Sequence, residues 1–333
     1  MYRIVTGLFT VVVATITLAP VRAIADEKQP AEQASEAEAR RRRGRYGAAA
    51  AWLQNALGAP SIHPGRGGRA LGLSVDAVRA ATRRLGVDAD RRPARKADDP
   101  LLVLPYPGGR HPRIGFRDGA VRPQRETKAS VFAPWAGGGY AVADVPEAVW
   151  FEPDAGKPAL LYLAHTHVPT VWDRQKVTLP RLEWTRHADG ALALQRPLPN
   201  KAVLSATVTP GRDGVRMRFG VRNGTDRPLT GLRVQMCVML AGLTGFERQT
   251  NDNKVFAAPF AACRDDSGKR WVITGWERCG RAWGNPPCPC LHADPVVEDC
   301  PPGQERSVRG WLSFYEGADV HAELKRLRSV AFR

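Results

Sequence analysis

Val215 to Leu240 reads VRMRFGVRNGTDRPLTGLRVQMCVML. Its first eight residues alternate: Val215, Met217, Phe219 and Val221 fall on one side, Arg216, Arg218 and Arg222 on the other. Successive side chains of a strand point to opposite faces, so this run reads as a strand with one apolar and one wet face. Leu232, Val234, Met236, Val238 and Leu240 repeat the pattern. Between the runs lies NGTDRP, Asn223 to Pro228, built of turn formers. The two runs therefore read as neighbouring antiparallel strands.

Working outward, further strands are expected at 127–133, 140–144, 159–167, 182–186, 189–195, 202–209, 270–276 and 306–315. Many strands, polar turns and few helices predict a mostly β chain, an antiparallel β-sandwich over residues 98–333. Near the C-terminus, Val320, Leu324 and Leu327 form a helical stripe that predicts a helix packed on a sheet.

The N-terminal part has a different character. Arg3, the apolar run Ile4 to Ala19 and the small residues Ala23 to Ala25 read as a signal peptide over residues 1–25. The expected location is then periplasmic, cell-envelope or extracellular, and no later segment is apolar enough to span a membrane. Residues 26–47 are polar and of low complexity, with EQASEAEARRRRGR at Glu32 to Arg45. They read as a disordered linker. Residues 48–97 read as a small helical region: one helix closes at Gly58, another runs from a Ser74 cap to Gly86. The second piece is similar to part of a helix-turn-helix unit over fewer than twenty residues. A leader in front of it argues against nucleic acid as the partner.

The formal net charge is +16, with arginine far ahead of lysine. Such a surface suits a carbohydrate polyanion or an anionic envelope polymer, although arginine and alanine are abundant throughout. No G-x-S-x-G elbow, phosphate-binding loop or dinucleotide fingerprint occurs, which removes the commonest hydrolase, nucleotide and dehydrogenase signatures.

The stretch GNPPCPCLHADP, Gly284 to Pro295, carries two readings. An even number of cysteines in an exported chain predicts a disulfide frame from Cys237, Cys263, Cys279, Cys288, Cys290 and Cys300. Cys288 and Cys290 are too close to bond one another easily. The other reading is metal. On a strand, Cys288, Cys290 and His292 would share a face, yet their spacing is not that of a zinc ribbon. In ALLYLAHTHVP, His165 and His167 also share a strand face and could grip one ion. A mixed arrangement keeps the cysteines bonded while His292 and Asp294 join His165 and His167 around zinc or another transition metal. Trp172 and Trp283 flank these segments and, with Asp173, are the expected ligand contacts, because a flat indole can stack on a sugar ring.

Several segments resemble an uncharacterised family of exported bacterial β-rich proteins: LPYPGGRHPRIGF (Leu104 to Phe116), LAHTHVPTVWD (Leu163 to Asp173), NGTDRPLTGLRVQMCVML (Asn223 to Leu240), NPPCPCLHADP (Asn285 to Pro295) and RGWLSFYEG (Arg309 to Gly317). That resemblance implies no mechanism. VRNGTDRPL (Val221 to Leu229) and PPGQERSVRGWLSFYEG (Pro301 to Gly317) also resemble the galactose mutarotase-like β-sandwich proteins. That likeness implies sugar binding and, in some members, catalysis by a histidine and a carboxylate, at positions not matched here. Three functions are therefore expected in order: carbohydrate binding or processing, metal-dependent catalysis at a histidine-rich site, and a structural or interaction role in the cell envelope.

Overall fold

The computed structural model describes residues 98–106, 127–164, 168–180 and 182–333, with Asp76 and Ala80 as isolated helical positions. The expected signal peptide, the linker, the rest of the helical region, and His165 and His167 lie outside the described residues.

Two antiparallel sheets form the sandwich. The first contains β1 (Val103–Pro105), β2 (Lys128–Phe132), β3 (Tyr140–Asp154), β4 (Lys157–Leu163), β9 (Arg233–Met239), β13 (Cys279–Trp283) and β14 (Cys290–Pro295). Its order is β1-β2-β3-β9-β14-β13, with β4 also paired to β3. The second contains β5 (Thr185–Arg186), β6 (Leu192–Pro197), β7 (Val203–Pro210), β8 (Val215–Arg222), β10 (Lys254–Ala257), β11 (Phe260–Arg264), β12 (Arg270–Trp276) and β15 (Glu305–Glu316). Its order is β10-β11-β12-β15-β8-β7-β6-β5. A short helix α1 (Val171–Arg174) follows β4, and α2 (Val320–Val330) closes the chain.

The alternation that opened the sequence reading is correct, but the pairing expected from it is not. β8 pairs with β7 and β15, whereas β9 pairs with β3 and β14, so the two runs lie in opposite sheets. Val215, Met217, Phe219 and Val221 meet Val234, Met236 and Val238 across the shared core rather than along a ladder. The intervening segment is an arch. Asn223 is fully buried, its amide donating to the carbonyls of Arg227 and Cys300 at 2.7 Å each and its oxygen accepting from Thr225 N at 2.9 Å. With every polar atom of its side chain engaged, Asn223 holds the crossing inside the protein with its desolvation offset by hydrogen bonds. A hairpin would have left one apolar face without a partner; the arch buries both.

Glycine is required where the second sheet takes a tryptophan across its ladder. Gly310 faces Trp276, and a Cβ there would lie 2.8 Å from the indole. The C-terminal stripe behaves as expected. Val320, Leu324 and Leu327 pack on Phe260, Ile273 and Trp311 of the second sheet's outer face. Each such buried aliphatic side chain contributes about 1.5–3 kcal/mol. Asp319 caps α2 by accepting from Ala322 N at 2.9 Å.

Candidate functional site

The first sheet buries its inner face and part of its outer face. On β9, Val234, Met236 and Val238 enter the main core, while Cys237 and Met239 join a second apolar cluster on the outer side. On β14, Leu291 and Ala293 enter the core and Cys290 points outward. Alternation therefore sends His292 and Asp294 outward with Cys290. The strand begins only at Cys290, because Pro286, Pro287 and Pro289 cannot donate to a ladder. The preceding turn is fixed by Cys288 N donating to Asn285 O at 2.9 Å and by Leu240 N donating to Pro289 O at 2.8 Å. Cys288 thus sits in the turn, off the strand face it was expected to share.

Four neighbours define His292, which is 1% exposed. Its Nδ1 lies 2.9 Å from the Met236 carbonyl and 3.6 Å from Glu147 Oε2. Its Nε2 lies 3.4 Å from Cys290 Sγ. Its ring stacks on Trp283 with centroids 4.0 Å apart and planes at 13°. Burial alone would push the imidazole down, but the Cys290 hydrogen bond and the Glu147 carboxylate carry it above its ordinary value.

Glu147 reaches this point because the β3–β9 register shifts between Asp144 and Ala148. The irregularity turns its side chain toward β14, where Gln235 Nε2 donates to Oε2 at 2.8 Å. Asp294 is held on both oxygens: Oδ1 accepts from Met236 N at 3.1 Å and Oδ2 from Trp283 Nε1 at 2.7 Å. Burial still raises its carboxyl above the ordinary range, outweighing the Trp283 N–H and the nearby imidazole, which pull it down. Arg281 also lies over the Trp283 ring, its guanidinium carbon 4.3 Å from the centroid. The indole thus carries both a guanidinium and a stacked imidazole.

Outside the stack opens a cleft of about 790 Å³ lined by Trp150, Arg174, Arg233, Gln235, Arg281 and Trp283, with Glu147, His292 and Asp294 at its base. Trp150 faces Arg233 across the β3–β9 ladder and is half-buried. The sequence held a signal for it, a tryptophan in an alternating strand, but nothing to separate it from core tryptophans.

The other expected residues are distributed elsewhere. Trp172 is buried in the core, 5% exposed, with Nε1 donating to Leu161 O at 2.8 Å. Asp173 caps its own helix, accepting from Thr170 N at 2.8 Å and Thr170 Oγ1 at 2.7 Å. Trp283, His292 and Asp294 come together, with the Trp283 ring already engaged by His292 and Arg281. No disulfide links any two of the six cysteines. Cys263 is fully buried on β11, and burial pushes its thiol up to about 12. Cys279 opens β13 half-buried, and Cys300 bridges to Leu229 through the backbone. Cys237, Cys290 and His292 converge, one donor atom from each lying within 4.8 Å of the others, so this group could hold a metal. Among the described residues no helix is long and apolar enough to cross a membrane.

No family model and no curated protein matches the chain. Solved structures with a similar course include a heparan sulfate lyase, HepC, from Pedobacter heparinus, at 10% identity and a TM-score of 0.33, covering 58% of this chain and 36% of that one. Another is the Slr1438 protein from Synechocystis sp. PCC 6803, at 10% identity and a TM-score of 0.36, covering 68% of this chain and 100% of that one. The chain thus spans little more than a third of the lyase. Likenesses this distant carry no argument about what the cleft takes.

Proposed function

We propose that the cleft on the outer face of the first sheet binds carbohydrate, and that its preferred ligand is an acidic glycan. The observation that carries this reading is the lining itself: the half-buried Trp150 with Arg174, Arg233 and Arg281 and the Gln235 amide beside it. A sugar ring offers a C–H face to an indole and hydroxyls to fixed acceptors. A uronate or sulfate adds a planar or tripodal anion that guanidinium groups bind with paired hydrogen bonds. The formal charge of +16 steers such a polymer toward the protein.

Binding fits the geometry better than turnover. Both oxygens of Asp294 are engaged by protein donors, and Glu147 is only 2% exposed. Neither carboxyl is presented as an acid or base to a glycosidic oxygen. Export through residues 1–25 would set the cleft before envelope or extracellular polysaccharide, and a mature N-terminus near Asp26 would be the mark of it.

The test is a panel of neutral, uronate-containing and sulfated oligosaccharides titrated against the full chain and against Trp150→Ala and Arg233→Ala. Each substitution is expected to weaken binding of the acidic members at least tenfold, with unfolding curves unchanged. Rising salt should weaken the same complexes. Binding that ignores Trp150→Ala, or no binding across the panel, would sink the reading.

A further inference from the structure

We propose that Cys237, Cys290 and His292 form a binding site for one thiophilic metal ion, zinc(II) or copper(I), beneath the cleft. The site follows from register. β14 pairs antiparallel to β9 with Cys290 opposite Met239 and Leu291 opposite Val238. One step further along brings His292 to Cys237, and the two-residue spacing puts Cys290 on the same face. Two thiols and an imidazole thus meet on one face of two adjacent strands, all buried.

The imidazole is set for ligation. A carbonyl only accepts, so Nδ1, 2.9 Å from Met236 O, carries a proton in either charge state of the ring. Nε2 is then the nitrogen with the available lone pair, and it is the one 3.4 Å from Cys290 Sγ. Metal-binding histidines characteristically donate their other N–H to a carbonyl or carboxylate, and here Met236 O and Glu147 Oε2 stand at that position. Packing alone explains a buried cysteine. It does not call for an imidazole clamped by a carbonyl, a carboxylate and an indole so that its lone pair faces thiols.

Distances and charge agree. Donors around a tetrahedral zinc ion with bonds of about 2.0–2.3 Å lie roughly 3.5–3.8 Å apart. The imidazole–sulfur pair is already there, and the whole set lies within 4.8 Å. Two thiols that bind a divalent ion release two protons and give a neutral centre. With a monovalent ion the bis-thiolate centre carries one negative charge. Lys254, 9% exposed, reaches the neighbouring turn, its Nζ donating to Asn251 Oδ1 at 3.0 Å and to Cys288 O at 3.3 Å. Soft sulfur donors with one imidazole select zinc or cuprous copper over magnesium, calcium or manganese.

The experiment uses the full chain, reduced and freed of metal, titrated separately with Zn²⁺, Cu⁺ and, as a spectroscopic probe, Co²⁺. One bound ion per chain by native mass is expected, with a sulfur-to-cobalt charge-transfer band. Saturation by only one of Zn²⁺ and Cu⁺ identifies the ion. Cys237→Ser and Cys290→Ser should each abolish the band, His292→Gln should weaken binding at least tenfold, and Cys279→Ser should leave it intact. Should the core serine variants fail to fold, the wild-type cobalt band still decides, since it requires thiolate ligands. Absence of stoichiometric metal, metal retained by a folded Cys290→Ser, or a mapped Cys237–Cys290 disulfide would each overturn the proposal. The titration contains no glycan, so its result is separate from that of the cleft.

Discussion

The two outer faces of this sandwich solve the same problem in opposite ways. The second sheet's outer face is apolar where it is covered: Phe260, Ile273 and Trp311 lie under Leu324 and Leu327 of α2. Beyond the helix it is wet and carries exposed pairs such as Arg218–Glu305 and Arg309–Glu277. The first sheet's outer face combines a buried apolar cluster with buried charge. Lys128 and Asp144 form an ion pair at 3.0 Å with both side chains fully buried, and Thr127 Oγ1 donates to Asp144 at 3.3 Å. Further along that face stand Glu147, His292 and the thiols. Apolar cover stabilises a fold outright, whereas buried charge stabilises it little or not at all relative to well-packed apolar side chains. A chain that keeps such groups on one face and closes the other with a helix has set the two faces to different tasks, one structural and one chemical.

Breaking the buried pair should have the largest effect. Lys128→Met strips Asp144 of its cation in a buried site and is expected to cost about 3–5 kcal/mol in denaturant unfolding. The double variant Lys128→Met/Asp144→Leu should recover most of that loss. If the single change costs under about 1 kcal/mol, the pair is not desolvated and the contrast between the faces fails. On the apolar face, Leu327→Ala leaves a cavity under α2 and is expected to cost about 2–4 kcal/mol, with glycan and metal binding unchanged. A binding defect in that variant would mean that the two faces are coupled through the core.

The smallest effect belongs to the exposed pairs. Burial pushes the Glu277 carboxyl up, but Arg309 donates to it from its backbone N, Nε and Nη2 at 2.8, 3.0 and 2.8 Å and holds it below its ordinary value. A carboxyl lowered in the folded state stabilises above its unfolded value of about 4.3 and loses that contribution as pH falls through the lowered one. Glu277→Gln should therefore cost under about 1 kcal/mol at neutral pH and still less in acid. A cost that does not change between pH 7 and pH 3 would assign the effect to packing.

Much of the fold is legible in the chain. The expected strands at 140–144, 202–209, 270–276 and 306–315 correspond to β3, β7, β12 and β15, and the stripe at Val320, Leu324 and Leu327 is α2. Other features escaped, among them the strands β1, β13 and β14, which lie outside every expected strand. β10 and β11 are short and lack a long alternating run, so nothing local marks Lys254–Ala257 or Phe260–Arg264. β3 runs on to Asp154 through a register shift, which breaks the period from which a strand is read and hides Glu147. The expected pairing of 215–222 with 232–240 failed because a turn-rich segment specifies a change of direction, not which sheet the chain re-enters.

The site divides along the same line. Alternation is a property of each residue's own backbone, so once Cys290–Pro295 is a strand the shared face of Cys290, His292 and Asp294 follows from CLHAD alone; that it is a strand did not. The two-faced character of the expected strands and the apolar stripe of the last helix could be read directly. That Cys237 is the sulfur which joins them, that Glu147 and Met236 hold the imidazole, and that Arg281 and His292 both lie against Trp283 depend on β3, β9, β14 and β13 lying side by side. Strand order is set by the burial of whole faces summed over the molecule, and only the folded chain makes that sum.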